Sequence, residues 1–378
     1  MSKKQIIGFL IFIVLIAGIF IASSFMNKDE DSVGLNNKRD LTTVYVATGG
    51  GKEDFIQDEE VVKIIEEEYG LNVVYDSWSN GKLIVKELVR EHGKNEYNAM
   101  FCSDQRFYDY YKLPANRSKG ESERNTVTNG GLILNTPIVI YSWASITDAL
   151  VAQNIVEEVN GTYFIKDMNG LLDMILTGKT WKDIGVDLYG SINVKSTDPV
   201  TSSPGATYYG LLLSIMCEGN ISEENVNNNL PKLKEFYEKA GYMNNTPADL
   251  FESYLKMGAG AYPMIVDYEK SLIDFANSNP NGFKQVKDDI VVLYSKPTIW
   301  NSHCIASFDE RGDEFYKVFE DKEIGQIAWE KYGFRTGVTG GNYDVSSIGI
   351  TGIPQNITST VSSLKMDVYE KLIDYLGN

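Results

Sequence analysis

Residues 42–55 read TTVYVATGGGKEDF. The first six form a β-branched and aromatic run of strand type, and Thr48-Gly49-Gly50-Gly51 breaks it. A helical pattern then predicts a helix over 54–69. Asp54 and Gln57 have the spacing of a capping box, and Gly70 is a stop signal. Phe55, Val61, Val62, Ile64 and Ile65 supply the apolar face. Residues 71–75 (LNVVY) read as the next strand, and Ser77-Trp78-Ser79-Asn80 as the loop after it. A helix over 81–92 follows, capped by Ser79 or Asn80. A third strand at 99–102 ends in Ser103-Asp104. Strands and helices that alternate in this way define an α/β domain.

Working outward toward the C-terminus, a second region of the same kind starts after the strand at 138–141. Helices are expected near 145–158 and 167–177, then a strand at 191–195 and the loop STDPVTSSPG, 196–205. Ser203 is a candidate N-cap and Pro204 suits the first helical position. Tyr208, Leu211, Leu212, Ile215 and Met216 follow at helical spacing. Thr246-Pro247 opens another helix in the same way. Strands are expected at 262–266, ending in Asp267-Tyr268-Glu269, and at 290–294, with helical structure over most of 308–332.

Toward the N-terminus, Lys3 and Lys4 precede an uncharged apolar run from 6 to 26. About 20 such residues span a bilayer core as a helix. The preceding lysines and the following Asp29, Glu30 and Asp31 place the N-terminus inside and the rest of the chain outside the cytoplasm. A cleaved signal peptide is the rival reading: Ala22-Ser23-Ser24 offers small residues, but the run exceeds an ordinary signal core. Residues 27–41 read as a polar tether. No cysteine follows the apolar run, so a thioether-linked lipoprotein anchor is excluded.

Composition narrows the chemistry. The 378 residues are 43% hydrophobic, enough for a real core, and carry a net charge of −17, which argues against a nucleic-acid partner. Two histidines, His92 and His303, and three spaced cysteines, Cys102, Cys217 and Cys304, suggest neither a metal centre nor a complete disulfide framework. The fingerprints GxGxxG, GxxxxGK[ST] and GxSxG are missing, and the SxxK at Ser253–Lys256 lacks the SxN element of a penicillin-binding enzyme. No convincing nucleophile–base pair emerges, so neither an enzyme nor a cofactor is expected.

Four loops at expected strand ends remain: 48–51, 77–80, 103–104 and 201–206. They are rich in Gly, Ser, Thr and Asn. Helix N-termini beside such loops can hold an anion or polar oxygen without Lys or Arg. Ordinary turn and cap chemistry is the competing reading for each. Asp104, Asp267 and Glu269 could bind a ligand amine or hydroxyl, or cap helices. The tyrosines and tryptophans could stack on a sugar ring, or simply build core.

The order of VYVATGGGKEDF (44–55), AMFCSDQRFYD (99–109), TGKTWKDIG (177–185), STDPVTSSPGATYYGLL (196–212), GAGAYPMIVDYEKSLIDF (258–275), VVLYSKPTIWNSH (291–303) and QIAWEKYGFR (326–335) resembles bacterial extracellular solute-binding proteins. These have the type II periplasmic-binding fold, and the TDPxxSSPG stretch resembles the sulfate- and molybdate-binding branch. The resemblance implies an α/β protein of two lobes, 42–138 with 293–378 and 139–292, crossing near 134–141 and 288–297. It also implies a ligand site of Thr48, Gly49, Gly50, Ser77, Ser79, Asn80, Ser103, Asp104, Ser202, Ser203, Gly205, Ala206 and Tyr268. The expected function is extracytoplasmic capture of a small polar solute, an oxyanion being one candidate, for an ABC-type uptake system. The partners are then a membrane permease or sensor and, through the N-terminal helix, the membrane. The alternative is a membrane-anchored sensory or scaffold domain of the same fold. An Asp104 carboxylate beside the cleft would repel an oxyanion unless it points away or is paired.

Overall fold

Strand β1 (Thr42–Thr48) forms where the β-branched run predicts it, and its burial deepens toward the C-terminal end. The computed structural model describes residues 40–78, 97–113, 126–336 and 344–378. The apolar run 6–26, nearly all of the tether, the helix expected at 81–92, and Ser79 and Asn80 lie outside the described residues. Among the described residues no helix is long and apolar enough to cross a membrane.

The helix expected over 54–69 is two: α1 (Glu53–Ile56) and α2 (Glu59–Glu67). Asp58 causes the break. Its carboxylate accepts from the amides of Glu60 and Val61 at 2.9 and 3.3 Å, capping α2 afresh. Gly70, at φ +65°, then turns the chain into β2 (Leu71–Ser77), parallel to β1 in the register Thr42↔Leu71. β3 (Ala99–Cys102) lies on the other side of β1, and Asp104 caps α3 (Gln105–Lys112).

β4 (Asn129–Trp143) leads into α4 (Ala144–Ala152). The helix expected to reach 158 stops there, because Asn160-Gly161, both at positive φ, turn a hairpin of β5 (Val156–Val159) and β6 (Thr162–Ile165). α5 (Met168–Leu176) follows. The strand expected at 191–195 makes only single bridges, Thr180↔Ser191 and Lys195↔Ile265. Then come α6 (Ser203–Met216), α7 (Glu223–Ala240) and α8 (Pro247–Ala261). Thr246 caps α8 by accepting from the Asp249 amide. β7 (Met264–Tyr268) runs into α9 (Glu269–Ser278) and α10 (Pro280–Val286). β8 (Ile290–Ser295) and β9 (Thr298–Ser307) flank the cis bond Lys296-Pro297. The 308–332 region is α11 (Glu310–Val318) and α12 (Lys322–Glu330), separated where Asp321 caps the second. β10 (Arg335–Thr336), β11 (Thr360–Val361) and α13 (Met366–Gly377) complete the order.

The strands sort around β4. Its residues 129–137 pair antiparallel with β9, which in turn pairs with β3, giving a first sheet in the order β2-β1-β3-β9-β4. Its residues 138–143 pair with β7 and β8, and β8 carries β6 and β5 in a second sheet. One face of the first sheet packs Val44, Phe55, Phe101 and Phe315; the other packs Ala47, Met100, Cys102 and Cys304. The largest core covers the second sheet with Trp181, Leu212, Phe236 and Met264. The C-terminal segment departs from the sequence expectation. Leu364, Leu372 and Leu376, expected with the first body, are buried in this second-sheet core. α13 packs on α7 and α6, so the chain ends against the core of the second sheet after β10 has returned to the first.

Candidate functional site

The expected ligand loops are largely occupied by their own neighbours. The Thr48 hydroxyl donates to the Gly49 and Phe101 carbonyls at 3.1 and 3.4 Å, and the Gly49 amide donates to Phe101 O at 3.0 Å. Gly50 is exposed. Lys52 is buried beneath this loop, donates to Gly49 O at 2.6 Å and lies 4.6 Å from the Phe101 ring centre. Burial lowers its pKa to about 8, although Cys102, Glu53 and Cys304 act to raise it. Ser77 is exposed; the next amide, Trp78 N, donates to Thr48 O at 2.8 Å.

Ser103 and Asp104 are buried. Asp104 accepts from the Arg106 amide at 2.8 Å and from both Nε (2.9 Å) and Nη2 of the Arg106 guanidinium. The carboxylate is therefore paired, which removes the repulsion its sequence position implied. Arg106 also stacks on Tyr369 of α13, 3.8 Å from the ring centre. Tyr268 is buried close enough to feel both charges. Burial, and then Asp104, push its hydroxyl pKa well above normal. Among the expected site residues, Thr48 and Ser77 are register partners across β1 and β2, and Asp104 and Tyr268 lie close enough to feel each other's charge.

At the start of α6 the N-cap is Ser202, not Ser203, and its side chain makes no capping bond. The role passes to Thr197, whose hydroxyl accepts from the Gly205 amide at 3.0 Å. A side chain on Gly205 would meet Thr197 O at 2.2 Å, so glycine lets this loop pack directly on the helix. Ala206 is buried, and its amide donates to Ser202 O at 3.0 Å. Protein atoms thus take the Gly205 and Ala206 amides at this helix start, while Ser202 and Ser203 are half-buried.

The space lies elsewhere. A cavity of about 1350 Å³ opens between α3, the β4–β9 pair, β10 and residues 360–370. Its wall includes Arg106, Asn135, Trp300, Ser302, Arg335 and Ser363, and none of the described residues that the resemblance places in the ligand site. Arg335 is held by Glu269 through bonds of 2.6 and 2.8 Å and by the Pro354 and Gln355 carbonyls at 2.8 and 3.1 Å. The Tyr294 hydroxyl donates to Glu269 at 2.6 Å. Both guanidiniums in the wall are thus neutralised by buried carboxylates. Lys112, Lys365, Asp109, Asp367 and Glu370 also line the wall, two basic groups against three acidic ones, and burial raises the Asp109 pKa. The neutral groups offered to a guest are the half-buried Trp300, a Ser302 hydroxyl donating to Asn135 Oδ1 at 2.6 Å, and Ser362, Ser363 and Thr360.

Sequence reasoning missed this wall because its residues come from five distant segments with no shared motif. Gln105, Arg106, Asp109, Trp300, Ser302 and Arg335 fall inside segments quoted for the resemblance, but none was read as a ligand residue. Nearby, His303 is buried with its Nδ1 unpartnered, and Asn301 holds its Nε2 at 3.2 Å. Burial, with Lys52 and Lys270 adding, depresses the His303 pKa far below normal, so the ring is neutral. Among the described residues no group of three or more His, Cys, Asp or Glu could hold a metal ion.

No protein-family model and no curated protein sequence matches the chain. Solved structures do. The apo ferric ion-binding protein A of Pasteurella haemolytica is 10% identical, with a TM-score of 0.56 over 89% of this chain and 96% of its own. An ABC transporter structure from Clostridium perfringens is 13% identical, with a TM-score of 0.54 over 88% of this chain and 98% of its own. A two-component system protein that mediates signal transduction is 11% identical, with a TM-score of 0.53 over 89% of this chain and all of its own. At these identities the likeness is one of fold: the chain has the mixed α/β fold of periplasmic solute-binding proteins.

Proposed function

We propose that this protein is an extracytoplasmic solute-binding protein that captures a small polar solute in the cavity between α3 and residues 360–370. The observation that carries the reading is the cavity's position. One wall, α3, belongs to the first sheet; the opposite wall leads into α13, which is packed on the core of the second; β4 and β9 cross beneath. A guest there touches both bodies, so its binding free energy favours the closed arrangement of two lobes hinged at β4 and at 296–298. Binding and release need no covalent step.

The charge pattern refines the solute class. With Arg106 and Arg335 already paired, an oxyanion finds no free guanidinium, whereas a neutral solute rich in hydroxyl or amide groups finds hydroxyls, an amide and an indole. The sulfate- and molybdate-like reading is therefore set below a neutral one. Ferric ion, which the Pasteurella protein's name says it binds, has no His, Cys, Asp or Glu cluster to support it among the described residues. The apolar run 6–26 would hold the protein at the membrane, beside a permease. A sensory role is the second reading, favoured by an apolar run long enough to stay as an anchor and by the fold shared with a two-component system protein.

The test is a thermal-shift screen of the full chain in mild detergent against sugars, polyols, amino acids, sulfate, molybdate, phosphate and ferric citrate. A guest at 100 times its Kd stabilises the fold by about 2.7 kcal/mol. A neutral hydroxylated hit lost in Trp300→Ala supports the reading; an oxyanion hit insensitive to Trp300 overturns the assigned solute class. Silence across the panel favours the sensory role.

A further inference from the structure

We propose that Cys102 and Cys304 join in a disulfide that staples the first sheet across the long segment inserted between them. The two residues are direct partners in the antiparallel register of β3 and β9. Opposed residues of such a pair project from the same face with Cα atoms about 4.5–5.5 Å apart, inside the disulfide range of about 4.4–6.8 Å. The Cys102 thiol lies 3.2 Å from the Cys304 carbonyl, and both side chains are fully buried in one cluster with Ala47, Met100 and Ala306. Cβ atoms of opposed residues must close by about 1 Å to bridge. Two alanines beside them leave little bulk in the way. Cys217, the remaining cysteine, is buried in the second-sheet core, away from this cluster.

The neighbourhood also favours the chemistry. In the folded sheet burial raises the Cys102 thiol, but a side-chain hydrogen bond with Cys304 and then the Lys52 ammonium bring its pKa below normal. Thiolate is the attacking species in disulfide exchange. Because both sulfurs are shielded once the sheet is complete, exchange takes place as β9 docks on β3. With a small disulfide such as oxidised glutathione, the Cys102 thiolate attacks one sulfur and releases one glutathione thiolate. Cys304, losing its proton to solvent, then attacks the Cys102 sulfur of the mixed disulfide and releases the second. One protein S–S bond forms, one glutathione S–S bond breaks, and two electrons pass to glutathione. The link joins two parts of the first sheet that the chain separates by β4 through β8.

The experiment counts thiols. The full chain in mild detergent is unfolded with reductant, refolded in a glutathione redox buffer until its far-UV circular dichroism matches that of the untreated protein, then denatured and alkylated. A second sample, purified without reductant from a host that exports it, is alkylated directly. The expected result is one alkylated thiol, Cys217, a chain lighter by two hydrogen atoms, and a linked peptide pair carrying Cys102 and Cys304. Cys217→Ser should then show no free thiol and Cys102→Ser two. Reductant should lower the wild-type Tm by about 5 °C and leave that of Cys102→Ser unmoved. Three alkylated thiols in both samples, or a link that includes Cys217, overturns the proposal.

Discussion

Asp267 closes β7 with no exposed surface, and its carboxylate accepts from the Tyr268 amide at 2.7 Å. Burial outweighs that bond and raises its pKa to about 6 from the usual 3.8. The unfolded chain therefore gives up this proton at lower pH than the folded one. The stability this group contributes is full below about pH 4 and is lost as pH rises through 6, a change of about 3 kcal/mol. Asp267→Asn keeps an acceptor for the amide and removes the titration. Urea unfolding at pH 4.5 and pH 7.5 should show the variant gaining on wild type at the higher pH; a constant difference would refute the assignment. Gly205 makes a sharper case. Any Cβ there strikes Thr197 O, so Gly205→Ala should cost about 1–3 kcal/mol through displacement of α6, read as a lower denaturation midpoint. At this scale the sequence was half legible. Asp104 could be seen as a cap, and is one, but its buried pairing with Arg106 two residues on has no spacing signature. Ser203 looked like the cap of α6, yet the N-cap position falls on Ser202 and the hydroxyl that serves the helix is on Thr197, six residues before the helix starts.

Among the elements, those with a local cause were the readable ones. Thr246 caps α8 as its Thr-Pro signature implies, and Thr246→Ala should lose about 1 kcal/mol by the same denaturation measurement. Asn160-Gly161 is a strong hairpin signal that helical periodicity had overridden, and Asp58 an N-cap hidden inside an apparently continuous helix. Position in the sheet was harder to read, because pairing between β3 and β9 or β4 and β7 is decided by distant segments. The tie between α9 and β10 illustrates it. Glu269, Arg335 and Tyr294 form a buried group that joins an element of the second sheet to one of the first. Arg335→Ala leaves a buried carboxylate unpaired and should cost about 3–5 kcal/mol, whereas replacing Glu269 and Arg335 together by apolar residues of similar volume should cost far less. Equal losses in the single and double variants would mean that the pair's charge is not what matters.

For the molecule as a whole, the class of fold followed from alternation of strands and helices, while the cavity did not, since Arg106, Trp300, Arg335 and Ser363 meet only once both sheets are complete. If a guest in that cavity closes the two bodies, small-angle scattering should record a smaller radius of gyration on adding it, and Trp300→Ala should abolish the change. The sharing of β4 between two sheets also sets an order of events at birth. β3 ends at Cys102, but the strand that completes its free side, β9, begins at Thr298. At ribosomal speeds of about 5–20 residues per second, that edge waits roughly 10–40 s for its partner. During that interval β3 is an open template for a neighbouring chain. The pairing of β3 with β9 is therefore the aggregation-exposed step of this chain's synthesis, and the arrival of β9 is what ends it.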